Sequence, residues 1–130
     1  MAVVETILVA YDDPASGTLS RAAELAGALG SVLIVTNVVP DDHEDGDDAE
    51  RFGRERLDQA GEYLAERGVT VELVKTVGQP ADAIVALARE RNVDLIVVGT
   101  RKKGFLERLV EGSVAQNVLR RAPCDVLVVH

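Results

Sequence analysis

Five short apolar runs recur along this chain, at residues 3–11, 32–39, 69–77, 94–99 and 125–130. Most of them are apolar at nearly every position, as in Ile7-Leu8-Val9-Ala10 and Leu95-Ile96-Val97-Val98. A strand with one wet face alternates apolar and polar residues, whereas a strand buried on both faces reads as a continuous apolar run. The third run differs, because Glu72 and Lys75 interrupt Val71, Leu73, Val74 and Val77. It reads as an edge strand, half exposed.

Between the runs the period becomes that of a helix. Leu19, Ala22, Ala23, Ala26 and Leu29 form one stripe, closed by Gly30. Residues 50–67 direct Phe52, Leu57, Ala60 and Leu64 inward, with Gly68 closing the segment. Residues 80–92 start with Pro80 at a favourable first-turn position and carry Ala81, Ile84, Val85 and Ala88 on one stripe. Residues 113–120 set Val114, Asn117 and Val118 on one face, and Pro123 bars continuation.

Strand alternating with helix throughout implies parallel strands joined by helical crossovers on both faces. Right-handed crossovers leave few strand orders, and 3-2-1-4-5 is the commonest doubly wound solution at this length. The expectation is one α/β domain over residues 1–130, a doubly wound, five-stranded parallel sheet of order 3-2-1-4-5 with two helices on each face. Strands 1 and 4 are then neighbours where the winding reverses, and ligands bind outside the carboxyl ends of strands at such a point. The loops beginning at Asp12 and Gly99 meet there.

Composition narrows the class. At 130 residues, with 47% apolar and 28% charged residues, the chain has the size and makeup of one globular domain. No apolar run reaches the ~20 residues of a bilayer span, and residues 1–5 lack the basic start of a secretory signal. The single cysteine, Cys124, forms no internal disulfide, and with two histidines it cannot complete a closed zinc site. A cytoplasmic protein with no metal centre and no membrane association is expected.

The net charge is −8, yet residues 41–50 alone hold seven of the 22 carboxylates and neither Lys nor Arg. Acidity belongs to that segment and not to the fold. Like charges this dense repel, so the segment is expected to be a mobile, solvated insertion; its spacing is not that of the twelve-residue calcium loop. With no basic stripe and only two Tyr, two Phe and no Trp, nucleic-acid binding is not expected.

The chemistry-bearing residues cluster in two places. Gly99-Thr100-Arg101-Lys102-Lys103-Gly104 leaves the fourth strand, and Glu111-Gly112-Ser113-Val114 opens the last helix. A helix start offers free N–H groups and the positive end of the dipole, which suit phosphate. Gly112 would let a phosphate approach the backbone, Ser113 supplies a hydroxyl, and Arg101, Lys102, Lys103 and Arg108 supply positive charge. The plain alternative is a turn at Gly99, a helix cap at Ser113 and solvated cations.

Over essentially its whole length the chain resembles the universal stress protein family. Ile7-Leu8-Val9-Ala10-Tyr11-Asp12 resembles that family's first strand with its terminal Asp. Gly99-Thr100-Arg101, the segment Gly112-Ser113-Val114-Ala115-Gln116-Asn117-Val118-Leu119-Arg120, then Ala122-Pro123-Cys124 and Val126-Leu127-Val128-Val129 resemble its C-terminal signature. The resemblance implies an ATP-binding sensor module, with Mg²⁺ accompanying the phosphates. By it, Asp12 bonds the ribose, the backbone of Val38 meets the adenine, and Gly99, Thr100, Arg101, Lys102, Gly112, Ser113 and Val114 surround the phosphates. Gly99, Gly112 and Ser113 match the family's phosphate motif at the right spacing, but Lys102 stands where the middle glycine belongs, and Asp13-Pro14 stands where Gly-Ser is frequent. The other implied reading is therefore the subclass that does not bind ATP and acts through protein partners. Many members also pair through the fifth strand, and here Asp125–Val129 ends in four apolar residues on a bare edge, so a homodimer is expected.

Two other classes fit the residues less well. Paired acids after the first strand also resemble a phospho-acceptor receiver domain, but such a domain needs an Asp ending strand 3 and a Lys ending strand 5, and this chain has neither. An enzyme using histidine needs one near the site, whereas His43 lies in the acidic segment and His130 is the last residue. Cys124 reads as a small core residue and not as a nucleophile.

Overall fold

The computed structural model describes residues 4–11, 17–39, 46–100 and 113–130. Five strands, β1 (Thr6–Ala10), β2 (Val32–Val39), β3 (Val71–Val77), β4 (Leu95–Gly99) and β5 (Asp125–Val129), alternate with four described helices. These are α1 (Thr18–Leu29), α2 (Gly46–Glu66), α3 (Pro80–Glu90) and α4 (Ser113–Arg121). The sheet is parallel throughout, with order β3-β2-β1-β4-β5. Ile7 is in register with both Leu33 and Leu95, so β1 is flanked on both sides.

Successive residues of the central strands serve opposite cores. Ile7, Val9, Leu33, Val35 and Val97 face α1 and α2, where they meet Leu19, Ala22, Ala26, Leu57, Ala60 and Leu64. Leu8, Ile34, Ile96 and Val98 face α3 and α4, against Ile84, Leu87, Ala88, Ala115 and Val118. This two-sided burial is the physical content of the unbroken apolar runs. β3 is the exposed edge, and its two charges are paired, Lys75 with Glu50 of α2 and Glu72 with Arg91. Gly30 ends α1 and Gly68 follows α2, both with positive φ, a conformation in which a Cβ is strained. At the amino edge of the sheet the Asp94 carboxylate accepts from the backbone N–H groups of Glu5 and Thr6, at 2.9 and 3.0 Å.

Some expectations are corrected. Residues 41–45 of the acidic segment lie outside the described residues, and residues 46–50, expected to belong to a mobile insertion, are instead the first turn of α2, with Asp48 exposed. Phe52 and Leu29, expected inward, are 59% and 43% exposed. Gly53 takes the inward position expected of Phe52, and Ala26 closes the buried stripe of α1 one turn early. On α4 Asn117 is exposed and Ala115 buried, because the face turned to the sheet is centred between Ala115 and Val118.

Candidate functional site

All five strands point their carboxyl ends to one edge of the sheet, and the described site residues gather along it. Val38 lies near the end of β2, half-buried and packed on the α3/α4 face. Gly99 ends β4 and Thr100 follows, both half-buried. Ser113 is the exposed first residue of α4, and Val114 packs against the core beside it. Asp12, Arg101, Lys102 and Gly112 lie outside the described residues, as do Asp13 and His43.

The edge is held from two sides. Between β4 and β5, the Thr100 N–H donates to the Val129 carbonyl at 3.0 Å, and the Thr100 hydroxyl donates to the same oxygen at 3.5 Å. The Thr100 Oγ1 also lies 3.4 Å from His130 Nδ1. This corrects the expectation that neither histidine approaches the site, because β5 runs parallel to β4 and so ends beside it. Across β1, β2 and β3, the Tyr11 N–H donates to the Thr36 carbonyl at 2.9 Å, and the Asn37 Nδ2 donates back to the Tyr11 carbonyl at 2.8 Å. The hydroxyls of Thr36 and Thr76 bond each other at 3.0 Å.

Asn37 and Thr18 escaped the sequence reading. Both are polar and buried at this edge, with relative exposures of 8% and 3%. A Cβ on Gly99 would fall 2.5 Å from the Thr18 hydroxyl, and one on Gly53 would fall 2.8 Å from Asn37 Oδ1 and 2.9 Å from Val39 Cγ2. The signals available were an Asn inside a buried-strand run and a glycine inside a helix, which costs about 1 kcal/mol relative to Ala and so asks for a packing reason.

The first turn of α4 contains no acidic side chain, and Arg120 and Arg121 occupy its last turn. Among the described residues its electropositive amino end therefore has no built-in counter-charge. Among the described residues, too, no group of three or more His, Cys, Asp or Glu is placed to hold a metal ion. Cys124 packs partly buried on the α3/α4 core; burial first, then the charges of Asp125 and Asp94, push its thiol up and so favour the neutral form. A cleft of about 290 Å³ between α1 and α2 is lined by Tyr63 and Arg67 from the far end of α2, away from this edge.

The universal stress protein family profile matches residues 4–130. A universal stress protein of Mycobacterium tuberculosis is 35% identical over all of this chain and 99% of its own length. A putative universal stress protein of Staphylococcus aureus is 33% identical, with 100% and 86% covered. A solved universal stress protein in complex with cAMP superposes with a TM-score of 0.81 at 32% identity over 99% of both chains. One from Archaeoglobus fulgidus in complex with dAMP gives 0.80 at 25% identity over 100% of both. The motif residues, the strand order and these similarities agree, and the chain belongs to the universal stress protein family.

Proposed function

We propose that this protein is an adenine-nucleotide-binding module that senses and reports the nucleotide, and is not an efficient enzyme. The observation that carries the reading is the exposed Ser113 hydroxyl on the first residue of α4, at a helix start with no acidic side chain in its first turn. Hydroxyl and backbone N–H donors at such an end suit phosphate oxygens. Support comes from the two similar proteins solved with cAMP and with dAMP, both adenine nucleotides with one phosphate.

In this reading Asp12 bonds the ribose and the Val38 backbone meets the adenine. Gly99, Thr100, Arg101, Lys102, Gly112, Ser113 and Val114 surround the phosphate. ATP is the ligand implied by the phosphate motif, and Mg²⁺ would neutralise phosphate oxygens where they crowd. The exposed Ser113 hydroxyl would donate to a phosphate oxygen, and the ion would be carried on the nucleotide's own phosphate oxygens.

Lys102 favours a second reading. A lysine in place of the middle motif glycine either fills the space of the outer phosphates or pairs with a phosphate that is present. If it fills the space, the protein belongs with the members that act through protein partners without ATP. In both readings two copies pair through β5, and a cytoplasmic setting suits the single unpaired cysteine.

Calorimetric titration with AMP, cAMP and ATP, each with and without Mg²⁺, tests the proposal. Saturable binding of at least one is expected. Absence of heat with all three at millimolar ligand overturns it.

A further inference from the structure

We infer that Asn37 is a positioning residue for nucleotide recognition, one that ties the end of β1 to the end of β2 and is held in place by Gly53 of α2. The inference rests on the nucleotide reading above and adds to it a residue that never needs to touch the ligand.

The geometry is specific. Asn37 is buried, and a buried amide must find partners. Its Nδ2 donates to the carbonyl of Tyr11 at 2.8 Å, 26 residues away in sequence. Tyr11 is the residue before Asp12, and Asn37 is the residue before Val38. One side chain therefore ties the residue that precedes the proposed ribose contact to the residue that precedes the proposed adenine contact. Its own backbone is fixed as well, since the Asn37 carbonyl accepts from the Thr76 hydroxyl of β3 at 3.5 Å.

The amide is also pinned from above. Asn37 projects toward α2, where a Cβ on Gly53 would come within 2.8 Å of Oδ1 and 2.9 Å of Val39 Cγ2. Contacts that short do not occur between real Cβ atoms, so the glycine is what lets α2 close over the amide. Restricting Asn37 to one rotamer holds its N–H on the Tyr11 carbonyl, and such support of a binding residue by its neighbours is how sites keep their geometry.

A double-mutant cycle on AMP affinity tests the inference, using wild type, Asn37→Ala, Asp12→Ala and the double variant. Asn37→Ala alone should weaken AMP by up to roughly tenfold, the scale of one hydrogen bond between neutral groups. If Asn37 acts through the Tyr11–Asp12 segment, it should weaken AMP little further once Asp12 is gone. A purely structural role would lower affinity by the same factor in both backgrounds, and that result overturns the inference, as does wild-type affinity in Asn37→Ala. Gly53→Ala gives a second approach should Asn37→Ala fail to fold: it presses on the amide without removing a donor, and it too should weaken AMP in the Asp12→Ala background less than in the wild type. A wild-type protein that binds no nucleotide overturns the functional reading itself, so the two failures are distinct.

Discussion

The hydroxyl of Thr18, in the first turn of α1, lies 2.5 Å from the point a Cβ on Gly99 would occupy. Thr18 is 3% exposed and β-branched, so it has no free rotamer to turn away into. The first glycine of the phosphate motif thus has a packing reason that requires no ligand. It allows α1, which follows β1, to close on the end of β4 at the point where the winding reverses.

That contact predicts a stability effect with a distinctive rescue. Gly99→Ala should destabilise the nucleotide-free protein by about 1–3 kcal/mol, as overpacking does. In Thr18→Ala the hydroxyl is gone and the remaining Thr18 Cβ position is an ordinary 3.8 Å from the new methyl. Adding Gly99→Ala to Thr18→Ala should therefore cost much less than adding it to the wild type. Urea unfolding of the four proteins measures the coupling, and equal costs in both backgrounds would refute the packing account.

The phosphate end predicts a pair of opposed outcomes. Ser113→Ala should weaken AMP or ATP binding by about 1–2 kcal/mol, since Ser113 is exposed and its loss leaves no buried group unpaired. Lys102→Gly separates the two functional readings by sign. Tighter ATP binding in that variant means the lysine fills the space of the outer phosphates, and weaker binding means it pairs with them. Unchanged affinity in both variants would remove the phosphate from this loop and helix.

The fold was legible because burial on both faces leaves a mark that local sequence carries. β2 spans Val32–Val39 in both the reading and the structure, and α3 begins at Pro80, where a missing N–H does no harm. What sequence hid were the places where tertiary contact outvotes local pattern. An acidic run reads as solvated chain, yet its second half starts α2 because a helix dipole and Lys75 of a distant strand favour carboxylates there. Phe52 looks like a core residue until Gly53 is seen to face the sheet in its place. Asn37 and Thr18 have no periodic signature, since the partner of one is Tyr11, 26 residues away, and the neighbour of the other is Gly99, at the far side of three helices. Of the proposed site, Asp12 and Gly99 follow from where the winding reverses, and Gly112 and Ser113 from helix-start chemistry, whereas Val38 is singled out only by resemblance.

The edge strand β3 predicts a pH dependence. Glu50 on α2 is paired with Lys75, and the hydrogen bond from the ammonium, then its charge, hold the Glu50 carboxyl below its ordinary value of 4.5. A carboxyl lowered on folding contributes stability that is present above the unfolded value and is lost as pH falls through the folded one. In Lys75→Met this contribution is absent at every pH. The melting temperatures of wild type and variant should differ most above about pH 5, the gap closing on acidification and in molar salt. A gap that widens as pH drops below about 4 would contradict the assignment. Both side chains are partly exposed, so a shift of a few degrees at most is expected.

The last prediction concerns β5. The Val129 carbonyl accepts from Thr100 on the β4 side. Alternate residues of a strand direct their backbone groups to opposite edges, so Val126 and Val128 present theirs outward. Asp125 is the only charge on the strand, and the four apolar residues after it are half-buried within one copy. β3, the other edge, carries Glu72 and Lys75, which discourage pairing. A second copy related by a two-fold axis would meet β5 antiparallel and satisfy both rows of outward groups at once. Val128→Pro removes one outward N–H and leaves the ladder to β4 intact, because the backbone groups turned toward β4 belong to Leu127 and Val129. Sedimentation should show a wild-type dimer at micromolar concentration and a folded Val128→Pro monomer with an unchanged helical signal. A wild type that sediments as a monomer in both low and molar salt refutes the interface.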